Sequence, residues 1–259
     1  MRLGIYCMIG LLLSADLALS QTNKAATPTP TPTPALPDVR PALVGTGPNA
    51  LINTIDAADL IKKGQKNAAV MFTCLVAPTG HVIGSGTYRG TKGSELLEKE
   101  VLKRLAGAKF VPAIHNHQPV LAVFYGTVTF AVVNGKPRLR IFANQQLPEV
   151  DKETDFIDPQ PYVGKDSKFT GTHYPPVPTT VSLTGAVELA AEIDAQGNVK
   201  SMQVVSEEPP FLNFGDAALS DFNGAKFIPA FRDGKPVDCK VTLHVYYKPP
   251  PQPQSQPES

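Results

Sequence analysis

The sequence predicts an α+β fold of two small units, each made of strand, strand, helix and strand: an antiparallel sheet with a helix packed on one face. Three observations carry this prediction. Residues 68–130 and 185–247 superimpose without a gap at a spacing of 117 positions, so one pattern occurs twice in tandem. Within each copy, apolar side chains first alternate and then recur every fourth residue, the periods of a strand and of a helix. Glycines stand at matching places where turns are expected.

In the first strand, Val70, Phe72, Cys74 and Val76 share one face, as do their partners Val187, Leu189, Ala191 and Ile193. Ala77-Pro78-Thr79-Gly80 and Asp194-Ala195-Gln196-Gly197 then turn the chain into a second strand through Val82 and Val199. Leu97, Val101 and Leu105 match Phe214, Ala218 and Phe222, a spacing of four that forms one helical stripe. Ser94 and Asn213 sit at the N-cap positions, and Gly107 and Gly224 at the ends. The block Gly107-Ala108-Lys109-Phe110-Val111-Pro112-Ala113 recurs as Gly224-Ala225-Lys226-Phe227-Ile228-Pro229-Ala230. The last strand carries Val120, Phe124 and Val128 against Val237, Val241 and Val245.

Outside the copies, Arg2, an apolar run over residues 4–13 and Ala18-Leu19-Ser20 predict a cleavable signal peptide over residues 1–20, hence export. An uncleaved inner-membrane anchor is the alternative, disfavoured because the run falls short of the roughly 20 residues of a span. Residues 21–47 form a Thr/Pro-rich linker, which proline keeps extended and solvated. A first domain over 48–147, a polar connector over 148–171, a second domain over 172–248 and a disordered Pro-rich tail over 249–259 complete the division. Within the first domain, Asn134-Gly135-Lys136-Pro137 predicts a hairpin turn into an extra strand from Arg138. With 24 basic and 23 acidic residues, no charge excess points to nucleic acid or an anionic membrane.

The hairpin Asp194-Ala195-Gln196-Gly197-Asn198-Val199, the helix Asp216-Ala217-Ala218-Leu219, the block Lys226-Phe227-Ile228-Pro229-Ala230, the turn Asp233-Gly234-Lys235-Pro236-Val237 and the preceding Tyr174-Pro175 resemble the C-terminal domain of TonB, the energy transducer of the Gram-negative envelope. The first copy resembles it less: Ala77-Pro78-Thr79-Gly80 lacks the acidic residue, and His115-Asn116-His117-Gln118 replaces the Asp-Gly turn. The resemblance implies a periplasmic protein-binding module linked to outer-membrane transport, whose exposed sheet edge accepts an extended receptor peptide. The candidate edge is the last strand: Cys239, Lys240, Val241, Thr242, Leu243, His244, Val245, Tyr246 and Tyr247. Energy-transducing members have an uncleaved membrane helix with a histidine, and the N-terminal segment here contains none. An envelope scaffold or dimerisation protein without a transducing role is therefore the alternative function.

The first sheet is also apolar on its second face, where Met71, Leu75, Leu121, Val123 and Tyr125 lie, and such a face must be covered. A helix expected over residues 51–61 or the second copy could cover it. A homodimer partner is the functional alternative and makes these five residues a candidate interface.

Catalysis has little support: there is no nucleophile elbow, no glycine-rich loop opening a helix and no cysteine with a histidine partner, so neither an enzyme nor a small-molecule cofactor is expected. His115 and His117 replace Arg232 and Gly234 in a turn and lack a third metal ligand, and His81 is likewise a turn residue. Asp151, Glu153, Asp155 and Asp158 lack the spacing of a calcium loop and are expected in a solvated linker. Lys109 and Lys226, present in both copies, are expected to cover the sheet with their stems. Cys74 and Cys239 face separate cores and are expected as free thiols; a disulfide is the alternative.

Overall fold

The computed structural model describes residues 35–176 and 183–249; the expected signal peptide, the linker up to residue 34 and the tail from residue 250 lie outside these. In chain order the first half contains β1 (Val39–Arg40), α1 (Leu51–Thr54), α2 (Ala57–Lys62), β2 (Ala68–Val76), β3 (Val82–Gly90), α3 (Glu95–Leu105), β4 (Ala113–His115), β5 (Gln118–Val133) and β6 (Lys136–Phe142). Next come α4 (Leu147–Asp151) and β7 (Gln160–Val163). The second half has β8 (Gly185–Ile193), β9 (Val199–Glu208), α5 (Phe214–Asp221), β10 (Phe227–Ile228), β11 (Ala230–Arg232), β12 (Lys235–Val237) and β13 (Cys239–Tyr247). The fold is α+β with antiparallel pairing throughout the named ladders.

β5 is the axis of the larger sheet. Along one edge it pairs with β2 from Ala122 to Phe130, and along the other it receives β4, β7 and β6 in succession. β3 flanks β2, and β10 from the second half pairs with β7, so one eight-stranded sheet reaches across both halves. The second half keeps its own three-stranded sheet in the order β13-β8-β9. The strands β2, β4 and β5 begin at Ala68, Ala113 and Gln118, and β8, β11 and β12 begin 117 residues later at Gly185, Ala230 and Lys235.

The hairpin glycines show why the turn chemistry is fixed. Gly80 and Gly197 both take φ of +81°, and a Cβ on either would run into the carbonyl oxygen of Phe110 or Phe227. Each glycine carbonyl instead accepts that phenylalanine's N–H, at 2.8 and 3.0 Å. In the second hairpin, Asp194 Oδ1 also accepts from the amides of Gln196 and Asn198 at 3.0 and 2.8 Å, an Asx turn that Ala77 cannot make. Lys109 and Lys226 sit opposite these hairpins, with Nζ reaching His81 and Asn198 respectively.

Two apolar cores result, and they exchange side chains. The first gathers Val70, Phe72, Leu97, Val101 and Phe124, together with Ile228 and Phe231 from the second half; the second gathers Val187, Leu189, Phe214, Ala218 and Leu243, together with Tyr125 from β5. The expected helix over residues 51–61 is two short helices broken at Ile55, with Asp56 Oδ1 accepting from Asp59 N at 2.9 Å to start the second. Leu51 and Leu60 pack into the first core on the same face of the sheet as α3, so these helices do not cover the other apolar face. That face turns toward the second half instead. Ser94 and Asn213 occupy the N-cap positions of α3 and α5 without a side-chain hydrogen bond.

The connector over residues 148–171 is solvated only in part: Asp151, Glu153 and Asp155 are exposed as expected, but much of the rest packs into the fold. Val150, Phe156, Asp158, Gln160, Tyr162 and Phe169 are all buried, because apolar residues alternate with the acids and β7 bridges β5 to β10. Cys74 is buried in the first core, Cys239 is half-buried beside the second, and both are free. Burial pushes the Cys239 thiol up to about 12.

Candidate functional site

The nine candidate edge residues make up β13, which pairs residue for residue with β8 from Cys239 opposite Ile193 to Tyr247 opposite Gly185. Val241, Leu243, Val245 and Tyr247 bury their side chains in the second core. The opposite edge of β13 carries no strand among the described residues. Near its centre, the Thr242 N–H donates to Gln146 Oε1 at 3.1 Å, and the Thr242 carbonyl accepts from Gln146 Nε2 at 3.1 Å. The backbone groups of Thr242 therefore point away from β8. By the alternation of an antiparallel ladder, those of Lys240, His244 and Tyr246 do so too.

Gln146 belongs to a polar cluster between the halves. Asp158, 1% exposed, accepts from Gln146 Nε2 at 3.0 and 3.2 Å and from the Gln145 amide at 2.8 Å. Burial raises its carboxyl from the ordinary 3.8 to about 7, against the lowering effect of those hydrogen bonds. Gln145 Nε2 donates to the Phe72 carbonyl at 2.7 Å, which leaves Oε1 to accept from His244 Nδ1 at 2.9 Å. His244 is 6% exposed, and burial lowers it to about 4 although Glu188 lies 3.6 Å from Nε2. Glu188 is paired with Arg89 of β3 at 2.7 Å, and the His244 ring packs on Tyr88 with centroids 4.6 Å apart. Asn144 completes the cluster, accepting from Thr127 Oγ1 at 2.7 Å through its carbonyl and donating to the Phe156 carbonyl at 2.8 Å.

Beside the far end of β13, a cavity of about 360 Å³ opens between the halves, lined among others by Leu75, Gly86, Val123, Tyr125, Tyr246 and Lys248. Lys248 Nζ donates to the Ser85 carbonyl at 3.3 Å, tying the end of the strand to β3.

Of the five candidate interface residues, Met71 and Tyr125 are 6% and 2% exposed within the single chain. Tyr125 belongs to the second core and Val123 packs against it; Leu75 and Val123 line the cavity; Leu121 pairs with Val163 of β7. His115 is half-buried, with Nε2 2.9 Å from Tyr162 Oη and 3.0 Å from Asp166 Oδ2, and His117 sits in the turn at φ +60°. No cluster of three or more His, Cys, Asp or Glu residues suited to a metal occurs among the described residues.

Sequence reasoning missed Asn144, Gln145 and Gln146. They fall outside the repeated segments, so the repeat says nothing of them; the available signal was three consecutive amides between Ile141-Phe142-Ala143 and Leu147-Pro148.

A three-stranded antiparallel sheet with one helix and a terminal edge strand defines a small α+β module, an architecture suited to taking up an extended peptide. Residues 170–249 match the family model described as Gram-negative bacterial TonB protein C-terminal. β13 lies inside the matched region, whereas Gln145, Gln146 and Asp158 lie outside it. No curated protein and no solved structure matches the chain. No helix among the described residues is long and apolar enough to cross a membrane.

Proposed function

We propose that this chain is an exported, periplasmic interaction module of TonB C-terminal type that binds an extended peptide of an outer-membrane receptor by strand addition to β13. The observation that carries this is the outer edge of that strand, nine residues in unbroken register with β8 and without a strand on its other side among the described residues. The first half supports the same use of this edge. β5, whose residues 122–130 lie 117 positions before β13, has its edge away from β2 partly filled by β7 and β6, so strands of this chain already dock in the corresponding place. Backbone pairing supplies affinity with little demand on side-chain identity. Cleavage of the signal over residues 1–20 and the division into two TonB-like domains are part of this proposal.

A scaffold without a transducing role is the second reading, favoured by the pairing of β7 with β10 and by the exchange of core side chains between the halves. The two readings separate in an amide-shift titration with peptides taken from the periplasm-facing segments of outer-membrane receptors of the same cell. Strand addition requires shifts at Lys240, Thr242, His244 and Tyr246, with little change on β9. Absence of binding by every such peptide would leave the scaffold.

A further inference from the structure

We propose that Gln146 is a built-in plug of the β13 edge, so that a peptide adding to this strand must first displace it. This rests on the strand-addition reading and concerns the regulation of that same edge.

The geometry is that of a competitor. A peptide strand paired with Thr242 would accept its N–H and donate to its carbonyl; the primary amide of Gln146 does both, each at 3.1 Å. One side chain thus imitates one residue of a β-ladder, at the fourth position of the nine-residue strand. The plug is aimed rather than loose. Asp158 holds Nε2 from behind with both carboxylate oxygens, Gln146 N donates to Asn144 Oδ1 at 3.1 Å, and the next residue starts α4, whose Pro148 occupies the first turn. The neighbouring Gln145 clamps His244, the next outward-pointing backbone position on the same edge. Removing the plug exposes two backbone groups that need new partners, and an incoming strand supplies them. Gln146 and Asp158 both lie outside the matched family region, so the plug belongs to this chain's first half and connector acting on its TonB-type domain.

The test uses the full mature chain and two variants, Gln146→Ala and Gln146→Met. The methionine keeps the length and loses both hydrogen bonds, and melting curves establish that each variant is folded. Amide hydrogen exchange without any peptide reads the plug alone. Thr242 N–H should exchange at least about tenfold faster in both variants, on the order expected from losing a hydrogen bond, while Val241 and Leu243, bonded to β8, stay unchanged. Equal Thr242 exchange in wild type and variants overturns the plug whatever peptides do. Binding is then measured with a labelled peptide of the β8 sequence, GAVELAAEI, which already pairs with β13 along its inner edge. Roughly tenfold tighter binding by the variants, the order set by two competing hydrogen bonds, supports the proposal. Equal binding by wild type and variants overturns the plug and leaves strand addition standing. Failure of all three proteins to bind, with exchange faster in the variants, overturns strand addition and reduces Gln146 to a structural clip.

Discussion

Replacing Asp158 by asparagine should change how the stability of this protein depends on pH. The carboxyl is 1% exposed and raised from 3.8 to about 7, so the folded state holds its proton where the unfolded chain has released it. A raised carboxylate contributes stability that is fully present below about pH 4 and is lost as pH rises toward 7. At about 1.36 kcal/mol per unit the loss approaches roughly 4 kcal/mol. His244 works in the opposite direction. Its folded value of about 4 lies below the ordinary 6.5, so folding costs least once the unfolded histidine is neutral, and stability rises between about pH 4 and 6.5. In the wild type these two slopes oppose each other over that window. In Asp158→Asn only the histidine remains, and stability should rise by about 1.4 kcal/mol per pH unit relative to the wild type from pH 4 to 7. Urea unfolding at pH 4.5, 5.5, 6.5 and 7.5 measures both proteins. Parallel curves, offset by a constant, would refute the argument that the cluster between the halves holds a protonated carboxyl.

Leu121→Glu with Val123→Glu should lower the melting temperature, because two carboxylates would enter the half-buried face between β5, β7 and the second core and cost roughly 2 kcal/mol or more in total; an unchanged melting temperature and elution volume would count against the internal packing of that face. Gly197→Ala should destabilise by well over about 1 kcal/mol, since the turn needs φ of +81° and has no room for a Cβ, whereas Gly107→Ala, with nothing within 4 Å, should stay near neutral. Urea unfolding of the pair checks this, and equal losses would refute it. Intact mass of the exported chain should begin at Gln21; retention of residues 1–20 would restore the anchor and move energy transduction ahead of simple binding.

The sequence by itself determined what repeats. Alternation at Val187, Leu189, Ala191 and Ile193, the hairpin glycines and the four-residue stripe of Phe214, Ala218 and Phe222 are local patterns, legible because strand and helix periods follow from backbone geometry alone. Burial agrees with them at each of these positions. The boundaries of β13 were legible for the same reason. The cluster between the halves was not. Gln146 and Thr242 are 96 residues apart, Gln145 and His244 are 99, and no local period encodes a pairing at such separation. The connector misled for a related reason: Asp151, Glu153 and Asp155 are exposed as their acidity suggests, yet Phe156, Asp158, Tyr162 and Phe169 are buried because two sheets close over them. Which face of β5 is covered, by what, and how much of the β13 edge stays open are properties of surfaces that meet only when both halves have folded. Periodicity says that a strand has two faces and two edges; only the tertiary structure decides what lies against each.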